Sequence, residues 1–68
     1  MPVYKHRISK NLRRMIRQSG FSAEKVAFGS GVSKSALSNY MSGKRIPSIH
    51  ALELIAEHLK RDFMDFFK

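Results

Sequence analysis

The segment from Lys34 to Ser42 carries side chains whose types could recognise another molecule. At about 100° per residue, a helix over this segment would gather its polar residues within roughly 140° of arc. Hydroxyl, amide and ammonium groups can donate to or accept from the edges of nucleic acid bases, and short side chains let a helix approach a surface closely. The alternative is an ordinary polar outer face of a small helical bundle. The residues of this face are Lys34, Ser35, Ser38, Asn39 and Ser42.

A second pattern indicates how this helix is held. Ala27 is small enough to let two helices approach closely, and Gly31, four residues later, can supply a positive φ at a sharp turn. Leu37 and Tyr40 are then placed to pack the later helix against the earlier one. This spacing is typical of a helix-turn-helix unit.

Start and stop signals divide the whole chain into five short helices with brief connections. The first has a stripe of apolar residues at helical spacing, starting at Ile8. The last is a short turn from Asp62. Serines suited to capping helix N-termini precede the middle three helices, and glycines follow the first three. The apolar stripe is Ile8, Leu12, Met15 and Ile16; the capping serines are Ser22, Ser33 and Ser48; the stops lie at Gly20, Gly29 to Gly31, and Gly43.

The charge of the chain points to an anionic partner. Lys and Arg number 13 against 5 Asp and Glu in 68 residues, a formal net charge of +8. Residues 1–45 hold all but three of the basic residues and a single acid, Glu24. Such an asymmetric excess would destabilise the fold by self-repulsion unless a partner neutralises it. Nucleic acid or an anionic membrane surface are the first candidates, and an acidic protein is the third.

Several other function classes are excluded by composition and spacing. The chain has no Cys, so it has neither disulfides nor thiolate metal sites. His50 and His58 would lie about 12 Å apart on one helix, too far to share a metal ion. No paired carboxylates and no nucleophile with a base are apparent, and no apolar run exceeds three residues. We therefore expect no enzymatic activity, cofactor, metal or membrane span, and a cytoplasmic protein.

The stretch from about Leu12 to Phe67 resembles the phage repressor/Cro-like helix-turn-helix family, also called the XRE family. This resemblance implies an all-α, five-helix lambda-repressor-like DNA-binding domain with a central helix-turn-helix. In that fold the third helix enters the major groove and the second crosses the DNA backbone. We accordingly expect a flexible N-terminal arm over residues 1–7 and a single domain over residues 8–68. The resemblance is carried by LRRMIRQSGFS, VAFGSGVSKSALSNYMSGKRIPS, ALELIAEHL and DFMDFF.

The resemblance also implies roles for individual residues. Base contacts are expected from Lys34, Ser35 and Ser38. Contacts with the DNA backbone or the rim of the interface are expected from Ser22, Ser33, Asn39, Lys44 and Arg45. Arg13 belongs to a basic cluster on the outer side of the first helix, whose charge favours phosphate contact, the alternative being a solvated cationic face. The C-terminal turn holds more apolar groups than a core this small is expected to bury, which predicts a homodimer interface. Its residues would be Met64, Phe66 and Phe67, the alternative being a purely monomeric core.

Three departures from the family pattern affect the second helix and its surroundings. Ala23 stands where Gln is frequent, and Met41 where Glu is common. Phe28 and Ser30 invert the usual order of exposed polar and buried apolar side chains. These departures predict that the second helix is displaced or ends early.

The function implied is that of a sequence-specific transcriptional repressor. It would bind double-stranded DNA at an inverted repeat and be associated with the nucleoid when bound. The alternative keeps the same fold: an antitoxin that binds a toxin protein and autoregulates its operon.

Overall fold

A computed structural model describes the backbone of residues 3–68 and the side chains of residues 6–68. It contains four α-helices and no strand within this range, which confirms the predicted all-α class. The fifth predicted helix is present, but as a 3-10 helix. The elements are α1 (Val3–Ser19), α2 (Ala23–Ser30), α3 (Lys34–Ser42), α4 (Ile49–Leu59) and the C-terminal 3-10 helix (Phe63–Phe67).

Helix α1 begins at Val3, five residues before the predicted start at Ile8. The sequence has no Gly or Pro between Pro2 and Gly20, so nothing interrupts the helix in this stretch. Residues 3–7, assigned above to the flexible arm, therefore belong to α1, and residues 1–2 lie outside the described residues. The predicted apolar stripe is confirmed, because none of its four side chains is more than 4% exposed.

The predicted helix caps are confirmed. Each capping serine accepts a hydrogen bond from a backbone N–H three residues later, at 3.0–3.1 Å. Such a bond satisfies one of the N–H groups that the first turn leaves free, and its loss typically costs about 1 kcal/mol. The pairs are Ser22 with Lys25, Ser33 with Ala36, and Ser48 with Ala51. Gly31 has the positive φ predicted for the turn between α2 and α3, at 80°.

Helix α2 is neither displaced from the core nor shortened, so that prediction was wrong. Val26 and Ala27 are buried, and the helix continues to Ser30. The buried Ser30 hydroxyl donates to the carbonyl of Val26 at 2.6 Å, which satisfies it without water. Phe28, by contrast, points outward and is 91% exposed. The inverted residue types are therefore accommodated without moving the helix.

The C-terminal 3-10 helix corrects the predicted dimer interface. Phe66 is fully buried in the core, at 0% exposure, and cannot contact a second subunit. Its carbonyl accepts a hydrogen bond of 2.8 Å from the side-chain amide of Asn11 on α1. Phe67 is half-buried against the core, and Met64 is exposed. The prediction for Phe66 failed because α1 and α4 together leave a site for one more aromatic ring, which counting apolar residues does not reveal.

Gly29, near the C-terminal end of α2, lies against the ring of His58 on α4. A Cβ atom at position 29 would lie 2.2 Å from Cε1 of His58, closer than any real contact. The imidazole ring itself lies 5.5 Å from the ring of Phe21, measured between centroids. The absence of a side chain at Gly29 therefore leaves room for the His58 ring. Alanine at this position would make an isolated α2 helix more stable, because glycine is a poor helix former.

We expect the Gly29→Ala substitution to displace the His58 ring from its place beside Phe21, so that the cost of this shift offsets the gain of about 1 kcal/mol from replacing glycine within a helix. In a His58→Ala background the clash is absent, so the same substitution should raise the free energy of unfolding by about 1 kcal/mol. Urea unfolding followed by circular dichroism gives both values. An equal effect of Gly29→Ala in the two backgrounds would contradict the packing described here.

Candidate nucleic-acid interface

Helix α3 presents the predicted polar face to solvent. Leu37 and Tyr40 are buried and fix one side of the helix to the core, as the spacing predicted. The other side is open. Asn39 is half-buried, and the remaining four residues of the face, Lys34, Ser35, Ser38 and Ser42, are exposed. The orientation of the face is thus confirmed, whereas its contacts with bases stay a prediction.

Arg13 on α1 is tied to the C-terminal end of α3. Its guanidinium donates a hydrogen bond to the backbone carbonyl of Met41, 28 residues away in sequence. The last carbonyls of a helix lack partners within the helix, so this bond satisfies a group that would otherwise need water. Arg13 was predicted as a rim contact for DNA. Its observed bond adds a positioning role for α3 that sequence reasoning missed.

Lys34 at the start of α3 is paired with Glu24 on α2. The ammonium nitrogen lies 3.4 Å from a carboxylate oxygen, and both side chains are about three-quarters exposed, at 75% and 74%. An ion pair with this exposure contributes less than about 1 kcal/mol to stability. The sequence offered one signal for the pair, because Glu24 is the only acid in residues 1–45. The helical periodicity of α3 alone could not predict the pair, because Glu24 lies on another helix.

An open groove of about 440 Å³ lies beside α3. Its apolar lining comes from Ala23, Leu37 and Met41, two of which are the family departures noted above. The small Ala23 and the uncharged Met41 leave this groove without the polar groups that the family pattern would add. Hydrogen-bonding and charged groups line the groove as well: Arg13, Glu24, Lys34, Ser38 and Ser42. Such a groove can combine apolar contact with donors for an anionic ligand.

Lys44 and Arg45 leave α3 in a tight turn and are exposed. Their backbone N–H groups both donate to the carbonyl of Asn39, at 3.0 and 3.3 Å. The two cationic side chains therefore start at the C-terminal end of the exposed face. At the other end, the Ser33 hydroxyl accepts the cap hydrogen bond described above and can still donate to an outside acceptor. Ser22 has the corresponding position at the start of α2.

The structure brings some of the predicted residues together and separates others. Arg13, Lys34 and Ser38 line the same groove, together with Glu24. Ser33 lies in a neighbouring cleft, formed with Phe28 and other residues of α2. The C-terminal Phe66 belongs to the core and to neither of these surfaces.

The histidines considered above as ligands do not form a site. His58 packs against Phe21, whereas His50 is exposed. Across the described part of the chain, no three His, Cys, Asp or Glu residues lie close enough together to hold a metal ion. Within the same part of the chain, no helix has the length and apolar character needed to cross a membrane.

Comparisons with known proteins give a family and a structural neighbour. The sequence profile of the family HTH_3, described as helix-turn-helix, matches residues 12–66. The solved structure of an HTH_3 family transcriptional regulator from Vibrio cholerae is similar, with a TM-score of 0.89 and 33% sequence identity. The similarity covers 94% of this chain but 36% of the regulator, so this chain spans about a third of that protein. A search of curated proteins found no match.

Proposed function

This chain belongs to the HTH_3 helix-turn-helix family, and on that premise we propose that it is a DNA-binding transcriptional regulator. One observation carries the proposal: the outward side of α3 is a face of short polar residues between cations at both ends. An ordinary solvated helix face usually mixes acids and bases, and this one has no acid of its own. The major groove of B-DNA admits one α-helix, and it presents the base edges that such polar groups can bind.

Sequence recognition is assigned to the N-terminal half of α3. Lys34 can donate to the O6 and N7 acceptors of guanine, the commonest partners of a basic side chain in the major groove. Ser35 and Ser38 lie on the same exposed side and can donate or accept at base edges. Leu37 and Tyr40 hold the helix in place from behind, which lets short side chains read bases with little loss of conformational freedom.

Affinity is assigned to contacts with phosphates around this helix. Lys44 and Arg45 supply charge at one end of α3, and the N–H groups of Arg13 not used by Met41 can donate to a phosphate. Ser22, Ser33 and Asn39 are proposed as neutral contacts at the rim. The net charge of +8 supports this, because phosphate neutralisation supplies most non-specific affinity for DNA.

The proposal includes repression by a homodimer at an inverted repeat. Two α3 helices about 34 Å apart would enter successive major grooves on one side of the duplex. Met64, 57% exposed, and the half-buried Phe67 remain the proposed interface residues, without Phe66. Binding of this kind represses by occupying a promoter, and it would associate the protein with the cytoplasmic nucleoid.

An antitoxin role is the second candidate, and Phe28 favours it. This side chain is 91% exposed on α2, and an exposed aromatic ring is a common anchor for a protein partner. Copurification of a toxin encoded by a neighbouring gene, lost in a Phe28→Ala variant, would support this second role.

Selection of bound sites from random duplexes tests the main proposal. We expect recovery of an inverted repeat whose half-sites lie about one helical turn apart. Titration should then show binding to this operator at least about a thousandfold tighter than to a random duplex. Equal affinity for both duplexes, or no binding, would overturn the proposal.

We expect Lys44→Ala and Arg45→Ala to weaken binding to operator and random DNA by similar factors. Each substitution removes one phosphate contact, so each should flatten the plot of log K against log salt by about one unit. The control is Lys68→Ala, which removes the same charge beside Asp65 at the C-terminus and should leave the slope unchanged. Anisotropy titrations at several salt concentrations measure the slopes, and unaltered slopes in both variants would contradict the assignment.

A further inference from the structure

We infer that Glu24 increases the specificity of DNA recognition by restraining Lys34. This inference rests on the proposed function, since it assumes that α3 reads bases. The pair joins the first residue of α3 to the second residue of α2 at 3.4 Å. Through it, the lysine assigned to base recognition is neutralised whenever it has no base to contact.

The location of Glu24 is unusual for its charge. Residues 1–45 contain one acid among their many basic residues, and this acid lies within the proposed interface. Both Glu24 and Lys34 line the groove beside α3 and also the neighbouring cleft that contains Ser33. A carboxylate here faces the DNA backbone in any complex that α3 enters. By its own charge it therefore opposes binding to every duplex, through the same repulsion from phosphates.

The exposure of the pair allows Lys34 to serve two partners. Both side chains are about three-quarters exposed, at 75% and 74%, so water and salt screen the attraction and the pair opens easily. An ammonium group has three N–H donors, so Lys34 can bond a guanine acceptor while it stays close to the carboxylate. The ion pair with Glu24 thus does not prevent Lys34 from contacting its base in the operator.

On a random duplex the Glu24–Lys34 pair has a different effect on binding. Where no base acceptor lies opposite Lys34, its charge stays offset by Glu24 and adds little to phosphate attraction. The lysine then contributes to affinity chiefly at the correct sequence. Glu24 accordingly lowers the affinity for non-cognate DNA more than the affinity for the operator, which raises the ratio between them.

The test compares Glu24→Gln with Glu53→Gln. Both variants lose one negative charge, but Glu53 is exposed on α4 and has no ion pair with any described side chain. Kd is measured for the selected operator and for a random duplex of equal length, over a range of salt concentrations. Thermal melting of each variant checks that the exposed substitution leaves the fold intact.

We expect Glu24→Gln to bind the random duplex roughly threefold to tenfold tighter, because one more cation becomes available to phosphates. The salt slope on random DNA should steepen by about one unit, while the operator complex should tighten by a smaller factor. Glu53→Gln should preserve the ratio of the two affinities. In a Lys34→Met background, Glu24→Gln should strengthen both complexes by the same factor.

The outcomes separate this inference from the proposed function. If the wild-type protein discriminates between the duplexes but Glu24→Gln keeps the same ratio, Glu24 contributes only general charge and the inference fails alone. If the Lys34→Met background does not abolish the change in ratio, the pair is not its cause and the inference fails. If the wild-type protein does not discriminate at all, the proposed function fails and the inference fails with it.

Discussion

The Phe66→Ala substitution is expected to lower the free energy of unfolding by about 3–5 kcal/mol, the range measured when a buried phenylalanine is truncated. The ring is fully buried, at 0% exposure, and packs edge-on against Phe63 with 6.3 Å between ring centroids. Its removal leaves a cavity between the C-terminal 3-10 helix and the rest of the core. A loss of this size is a large part of the stability of a domain of 68 residues, so much of the variant would unfold at 37 °C.

Phe28→Ala provides the matched control, since it makes the same chemical change at a side chain that is 91% exposed. Its effect on the free energy of unfolding should stay within about 0.5 kcal/mol. Urea unfolding followed by circular dichroism, with mass measured in solution, distinguishes a core role from an interface role. If Phe66→Ala stayed folded with normal stability but became monomeric, Phe66 would belong to an interface after all.

The Lys34→Ala substitution is expected to reduce discrimination between operator and random DNA by about 1–3 kcal/mol, a factor of roughly 5–150. The operator complex loses a base contact that random DNA does not offer. The variant also leaves the Glu24 carboxylate without its partner, so a modest further loss should appear on both duplexes. Ser38→Ala, which removes a hydroxyl from the same face, should change discrimination in the same direction.

Anisotropy titrations with the two duplexes at one salt concentration give the discrimination directly. Lys44→Ala is the contrast, because it removes an equal charge at the C-terminal end of α3 and should affect both duplexes alike. Were Lys34→Ala to weaken both complexes by one common factor, Lys34 would contact phosphate instead of bases.

Most of the local architecture could be predicted from residue types. Serine caps and glycine stops depend on groups within one helical turn, and all three predicted N-caps form. The exposed face of α3 followed from helical periodicity alone. The start of α1 was wrong because the stretch before Ile8 lacks a clear boundary signal, and a helix continues where nothing stops it.

The contacts between different helices could not be predicted in this way, because the sequence carries no local pattern that indicates them. The bond from Arg13 to Met41 spans 28 residues, and that from Asn11 to Phe66 spans 55. The fit of Gly29 to His58 likewise depends on how closely α2 approaches α4. No spacing rule within one helix describes such distances, because they depend on the packing angle and rotation of two helices at once.

By itself, the sequence determined the helical class, the turn between α2 and α3, and the polar character of the α3 face. These depend on capping, periodicity and charge, which act over a few neighbouring residues. Only the tertiary structure decided that Phe66 belongs to the core, that Arg13 holds the end of α3, and that Glu24 lies beside Lys34. The physical reason is that burial and pairing depend on which surfaces meet when the helices pack, and distant parts of the chain supply those surfaces.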